Sequence, residues 1–272
     1  MEQKQAQLIS FTSGSCGNAA WIGLSDGGPG ILLDAGVSVR RLRKEMKERG
    51  IDPSRIRAVL VTHDHLDHIR HLGSFCKHLH LPVYATARLH QSLATHPFTR
   101  IEIDPCKRVL DRGVWTEVAP GISARCFSVP HDATDTVGYA LRVGDHRIVW
   151  MTDLGEVTPE AMELAREADT VVIESNYDTG KLLSGTYTYQ LKMRISAGGH
   201  GHLSNDACAE AIRAFWHPGL RNIFLCHLSG NNNTPSMAMA CASAALHLVA
   251  GVDAPTRLLY LPRQIPTGLI NL

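Results

Sequence analysis

The sequence predicts an α/β fold in which sheets pack face to face with helices outside. Three observations carry this. Short β-branched runs alternate with helical patterns along all 272 residues. Antiparallel-looking strand pairs occur in both halves, which a regular parallel βαβ series would not give. No internal repeat, low-complexity tract or Pro/Ser-rich linker interrupts the chain, so a single domain over residues 1–272 is expected.

The first strands are expected at Gln7–Phe11, Ala19–Leu24, Ile31–Asp34 and Ala58–Thr62, then at Val83–Ala85, Val114–Val118 and Ile122–Val129. A hairpin follows, Val137–Val143 with His146–Thr152, turning at Gly144-Asp145. The last strands are Thr170–Glu174, Ile223–His227 and Arg257–Leu261. Helices are expected at Val39–Arg49, Leu66–Leu79, Pro159–Ala168, Asn205–Trp216 and Ser236–Val249. Ser38 caps the first and Gly50 stops it, while Thr158 and Pro159 give the third an N-cap followed by proline at the first helical position. The apolar run from Met237 to Gly251 is broken by Ser243 and His247 and falls short of the ~20 residues a spanning helix needs. It reads as a buried helix, with Met237 and Met239 filling core.

Composition narrows the function classes. Hydrophobic residues at 44% and charged residues at 19% exclude disorder and coiled coil. A net charge of +1 excludes a strongly basic nucleic-acid coat protein but not a local basic groove. Seven scattered cysteines without a CxxC argue against a disulfide framework and a thiolate zinc site, and fit a reducing cytoplasm. The start, MEQKQAQLISF, lacks the apolar stretch of a secretory leader, and no membrane partner is expected. The unusual number is 15 histidines, and their placement is the question.

The sharpest feature is Thr62-His63-Asp64-His65-Leu66-Asp67-His68, directly after the apolar strand Ala58-Val-Leu-Val-Thr. His63 and His65 alternate, so an extended turn can point both to one side. Asp67 and His68 belong to the next turn and can close on a second metal. Nitrogen and carboxylate donors of this kind suit Zn²⁺ or Mn²⁺, with Fe also compatible. A plain surface loop is the bland alternative, but imidazole and carboxylate groups rarely cluster after a buried strand without ligating something. Three further residues end strands: His131 in Ser-Val-Pro-His131-Asp132, Asp153 after Arg147-Ile-Val-Trp-Met-Thr, and His227 after Ile223-Phe-Leu-Cys. Each alone reads better as a cap or satisfied polar residue. Joined to the cluster, they complete a set of seven ligands for two divalent ions: His63, His65, Asp67, His68, His131, Asp153 and His227.

HxHxDH, then a strand-end His, a strand-end Asp and a final His, resembles the ordered signature of the metallo-β-lactamase fold superfamily. The resemblance implies a four-layer αββα sandwich with a dinuclear metal site at one edge of the sheets. It implies that His63, His65 and His131 hold one metal, that Asp67, His68 and His227 hold the other, and that Asp153 bridges. Asp34 in Leu-Leu-Asp34-Ala-Gly36 matches the superfamily's structural aspartate near the metal loop. Four more segments narrow the match: Ser13-Gly-Ser-Cys-Gly-Asn18, Glu174-Ser-Asn-Tyr-Asp178, Gly201-His-Leu-Ser-Asn205, and His227-Leu-Ser229 leading into Asn231-Asn-Asn-Thr-Pro235. Together they look like the YycJ/WalJ subfamily, bacterial cytosolic nucleases described as acting exonucleolytically on DNA. Cys16 departs from the serine usual there, and His200 receives no role.

Phosphodiester hydrolysis fits these residues. A metal pair about 3.5–4 Å apart can supply a bridging hydroxide and clamp the phosphate. His202 is the candidate general acid for the leaving oxygen, Glu174 would hold its tautomer, and Asp67 is counted as catalytic as well as a ligand. The tRNA-processing relatives in the superfamily pair a Glu and a His at these motif positions. Ser204, Asn205, Lys192, Arg194, Asn232 and Asn233 are the expected substrate contacts, with Tyr187 and Tyr189 available to stack on a base. DNA is expected ahead of RNA as substrate. The competing functions are a small-molecule hydrolase for a thioester, lactone or cyclic phosphate, and a non-catalytic metal-binding protein. The thioesterase version of the first is weakened because only about 45 residues follow His227, few for an added helical substrate domain. The remaining histidines are expected to have no ligand role, with His71 the one to watch.

Overall fold

Two seven-stranded mixed sheets face each other. The computed structural model describes residues 5–272. The leader expectation falls partly on residues 1–4, which lie outside that range. The first half holds β1 (Ala6–Gly14), β2 (Gly17–Leu24), β3 (Gly30–Leu33), α1 (Val39–Glu48), β4 (Ile56–Leu60), α2 (Leu66–Ile69), α3 (Leu72–Leu79), β5 (Val83–Ala85), α4 (Ala87–Thr95) and β6 (Lys107–Val109). The second holds β7 (Thr116–Ala119), β8 (Ile122–Ser128), β9 (Val137–Val143), β10 (His146–Met151), α5 (Pro159–Ala165) and β11 (Thr170–Glu174). It continues with α6 (Thr179–Ser184), α7 (Tyr189–Ile195), α8 (Asn205–Phe215), β12 (Asn222–Cys226), α9 (Pro235–Ala250), β13 (Arg257–Tyr260) and β14 (Ile270–Asn271).

Strand order is β14-β1-β2-β3-β4-β5-β6 in one sheet and β13-β12-β11-β10-β9-β8-β7 in the other. The meanders are antiparallel, whereas β3 to β6 and β10 to β13 run parallel through helical crossovers. Three cores separate four layers. Leu8, Ile22, Leu60, Tyr139, Val172 and Phe224 fill the space between sheets. Trp21, Leu32, Leu42 and Phe75 lie under α1, α3 and α4, and Val149, Ile173, Ile212 and Ala242 under α5, α8 and α9. Each sheet is therefore apolar on both faces and covered outside, the αββα arrangement.

The expected helix Leu66–Leu79 is two helices. The His71 N–H leaves the helical ladder to donate to the Ala35 carbonyl at 3.0 Å, and the Ala35 N–H donates to His68 at 2.7 Å. These bonds tie the chain after β3 to the metal loop. Gly36 makes this approach fit, because a Cβ there would lie 2.0 Å from the Asp67 carbonyl. Elements α4, α6, α7, β6 and β14 add to the expected set. No residue of α7 is buried and β6 is exposed throughout, so neither has an apolar period to read. All seven cysteines are free. Among the described residues, no helix is long and apolar enough to cross a membrane.

Candidate active site

The seven expected ligands meet at one edge of the sandwich because each follows the C-terminal end of a strand. His63, His65, Asp67 and His68 come after β4 and through α2, His131 after β8, Asp153 after β10 and His227 after β12. Leaving a strand this sharply places Asp34, Asp153 and His227 in left-handed backbone, at φ 58, 53 and 51. Such non-glycine positions cost on the order of 1–3 kcal/mol and gather at functional sites.

His63, His65 and His131 form one group, with ring centroids 4.7, 5.0 and 5.3 Å apart. Asp67, His68 and His227 form another. In it Asp67 Oδ2 stands 3.6 Å from His68 Nε2 and 3.7 Å from His227 Nε2. Asp153 lies between the groups, its Oδ2 3.1 Å from His68 Nε2 and its Oδ1 3.9 Å from His131 Nε2. Within each group the candidate ligand atoms lie within 4.8 Å of one another. His71 joins no such group among the described residues.

Hydrogen bonds orient the imidazoles from behind. His68 Nδ1 donates to Asp34 Oδ2 at 2.7 Å, and His131 Nδ1 to the Gly201 carbonyl at 2.9 Å. His227 Nδ1 donates to Glu174 Oε1 at 2.9 Å, and His63 Nδ1 to Thr62 Oγ1 at 3.0 Å. Thr62 Oγ1 in turn donates to Asp34 at 2.9 Å. Each bond leaves the ring's Nε2 facing the cluster. On His63, His131 and His227 that nitrogen is buried with no hydrogen-bond partner. Buried imidazole nitrogens without partners, facing carboxylates, are what a metal-binding donor set requires. The residues fit divalent metal.

Charge reinforces this. Burial pushes His63 well below its ordinary pKa, with the neighbouring His68 adding to the effect, and burial likewise lowers His131. Both are thereby neutral, the ligating form. Burial would also lower His227, but Asp153, Asp67 and Glu174 outweigh it and raise its pKa to about 10. Asp153 shows the reverse: burial would raise it, but His227 and His68 hold it well below the carboxylate range. The carboxylates thus attract positive charge to this edge.

Glu174 ends β11 fully buried. Its Oε1 accepts from His202 Nδ1 at 2.8 Å, and its Oε2 from the Leu154 and Leu203 N–H groups at 3.0 and 3.2 Å. Burial would raise Glu174, yet His202 and the hydrogen bond from His227 bring it down to about 2. His202 is raised in return: burial lowers it, and Glu174 with Asp153 overcomes that. The dyad is an ionised carboxylate holding a proton-bearing imidazole.

A cleft of about 280 Å³ opens over these groups, lined on one side by His65, Asp67, Asp153, His202 and His227. Of the expected substrate contacts, Arg194 lines it. The others are placed elsewhere. The Ser204 hydroxyl caps α8 by accepting from the Ala207 N–H. Asn205 and Asn233 are buried and bond each other, Ser175 and nearby backbone. Asn232 is buried, its carbonyl accepting from the Asp178 N–H, and Lys192 Nζ donates to the Leu183 carbonyl. Tertiary structure also adds residues to the site. Asn18 Nδ2 reaches His68 Nε2 at 2.8 Å and Asp67 Oδ2 at 3.0 Å. Asp132 Oδ1 lies 3.4 Å from His131 Nε2, and its Oδ2 accepts from Arg194 Nε at 2.5 Å. Asn18 and Asp132 sit inside motifs visible in the sequence, but spacing alone does not separate them from loop residues.

The two-sheet sandwich and the ligand cluster at its edge define a metal-dependent hydrolase. The sequence model of the "Beta-lactamase superfamily domain" matches residues 30–227. The exodeoxyribonuclease WalJ of Streptococcus pneumoniae is 32% identical over 246 residues, 89% of this chain and 90% of the relative. The exodeoxyribonuclease YycJ of Bacillus anthracis is 30% identical over 236 residues, 87% of each. Zn(2+)-bound PqqB from Methylobacterium extorquens superposes with a TM-score of 0.72 at 16% identity, over 96% of this chain and 99% of the other, which speaks to the fold. The chain belongs to the beta-lactamase superfamily and, within it, to the group of WalJ and YycJ.

Proposed function

We propose that the chain is a dinuclear-metal phosphodiesterase that acts as a DNA exonuclease. The observation that carries the reading is the Glu174–His202 pair, 2.8 Å apart, set beside a cluster of seven ligands. Relatives called exodeoxyribonucleases, similar along most of the chain, favour DNA over RNA and an exonuclease over a thioesterase or lactonase. In this reading His63, His65 and His131 hold one ion, Asp67, His68 and His227 the other, and Asp153 serves both. Zinc or manganese suits the donors, and iron is compatible with them. Bound there, the ions neutralise phosphate charge and acidify water.

The chain's own residues do the rest. His202 carries a proton that Glu174 helps retain, and its Nε2 delivers it to the departing oxygen. Asp67, on the floor of the cleft, orients the attacking water. Asp34 and Thr62 hold His68 and His63 in the ligating tautomer. Asn205, Asn232 and Asn233 act as a scaffold under the Glu174 loop. The catalytic unit is one domain over residues 1–272, working in the cytoplasm, where free cysteines persist.

The test is purified protein with Mn²⁺ or Zn²⁺ on end-labelled duplex DNA, single-stranded DNA and RNA, alongside bis-p-nitrophenyl phosphate. Stepwise shortening of DNA from its ends is expected. Intact nucleic acid together with fast turnover of a thioester or lactone would overturn the reading. In His202→Ala, metal content stays and phosphodiesterase activity falls by about 10²–10⁴. An unchanged rate removes His202 from the acid role.

A further inference from the structure

The cleft has two unlike walls. Besides the ligand residues, the cleft is lined by Tyr187, Leu191, Arg194 and Ile195, all from the segment that carries α6 and α7. That segment contributes little to the core. No residue of α7 is buried, and Leu191 stays 37% exposed although it lines the cleft. Tyr189 and Met193 beside it are 75% and 49% exposed. Apolar surface gathered on one solvent-facing element calls for an occupant.

Two contacts set the wall in place. Arg194 Nε donates to Asp132, the residue after candidate ligand His131, at 2.5 Å. The Tyr187 hydroxyl accepts from Asn231 Nδ2 at 2.7 Å, which pins the ring at the cleft edge. Arg194 is the only cationic Lys or Arg side chain lining this cleft among the described residues. The wall therefore offers an aromatic ring, two aliphatic side chains and one guanidinium in the same cleft as the candidate metal ligands. A nucleotide presents the matching set: a flat base with two apolar faces joined to an anion.

We infer that this wall is a nucleobase subsite: the base of the terminal nucleotide packs on Tyr187, Leu191 and Ile195 while its phosphate faces Arg194 and the metal ligands. The inference rests on the phosphodiesterase reading and names the unit that the site takes. A cleft of about 280 Å³, just below the usual range of ligand sites, matches one nucleotide better than a duplex. The terminal base must then leave its partner before cleavage, and frayed or mismatched ends are cut faster than paired ones. The wall has no hydrogen-bonding pattern for one base, so it takes all four bases through their faces.

The test compares ligands with and without a base. Binding of thymidine 5′-monophosphate and of inorganic phosphate to the Mn²⁺-loaded protein is measured by calorimetry. The nucleotide is expected to bind at least about fivefold more tightly, the low end of base–aromatic stacking. Tyr187→Ala removes that advantage, Tyr187→Phe keeps it, and both leave phosphate binding unchanged. Equal affinity for the two ligands, or an advantage that survives Tyr187→Ala, overturns the subsite. A parallel measurement on the metal-loaded enzyme separates this inference from the function on which it rests. The p-nitrophenyl ester of thymidine 5′-monophosphate should show the higher kcat/KM than methyl p-nitrophenyl phosphate. If both esters are inert while the nucleotide keeps its binding advantage, the hydrolytic reading falls and the subsite stands. If both are cleaved equally and the advantage is absent, the subsite falls alone.

Discussion

Glu174→Gln tests the centre of the site with a near-isosteric change. The wild-type carboxylate is buried and accepts from His202, His227, Asn176, Leu154 and Leu203 at 2.8–3.2 Å. Its pKa near 2, against 4.5 for a free side chain, means that folding favours the ionised form. Two and a half pH units correspond to about 3 kcal/mol. The amide loses that charge. Whichever way it is turned, its NH₂ meets donors: His202, His227 and Asn176 on one side, Leu154 and Leu203 N–H on the other. An unmet buried donor adds about 1–3 kcal/mol. At 2–4 °C per kcal/mol, the charge alone corresponds to a drop in Tm of about 6–12 °C. Calorimetry of the metal-free protein at pH 7 measures it. The folded pKa is depressed, so the stabilisation is complete above the unfolded value of 4.5 and is lost as pH falls through 2. The gap between wild type and variant should narrow over that window. A Tm within a degree or two of wild type at pH 7 would refute the charged, fully bonded carboxylate. Unchanged phosphodiesterase turnover would refute its hold on His202.

Asp153→Ala should lower metal content in protein purified without added metal, because Asp153 touches both ligand groups; full occupancy by elemental analysis would contradict this. Gly36→Ala places a Cβ 2.0 Å from the Asp67 carbonyl, so it should cost about 1–3 kcal/mol in denaturant unfolding and weaken metal binding. His146, buried against Thr170, is held by burial at about 4, well below 6.5. Its folded form is neutral, so its stabilisation is complete above pH 6.5 and is lost as pH falls through 4, by about 3 kcal/mol in total. His146→Gln should flatten the stability–pH curve across that window.

Much of the site was legible from local order. A buried strand followed by HxHxDH states its chemistry in six residues, and lone ligands at strand ends could be added because strand ends collect at one edge. The Glu174–His202 pairing was accessible only through motif resemblance, since 28 residues separate the two. The expected roles of Asn205 and Asn233 show the limit. A polar run in a loop looks the same whether its amides face a substrate or knot the loop together, and here they bond one another.

The sequence by itself determined the layered α/β class, the principal strands and the ligand types. Alternation, helix caps and ligand spacing are properties of neighbouring residues and survive without coordinates. Only the tertiary structure decided which strands run parallel and which imidazole nitrogen faces the cluster. It also split the helix at His71 and set the α6–α7 wall across the cleft through Arg194 and Asp132. These depend on contacts between distant residues. In α7 the exposed helix has no buried stripe, so periodicity has nothing to record.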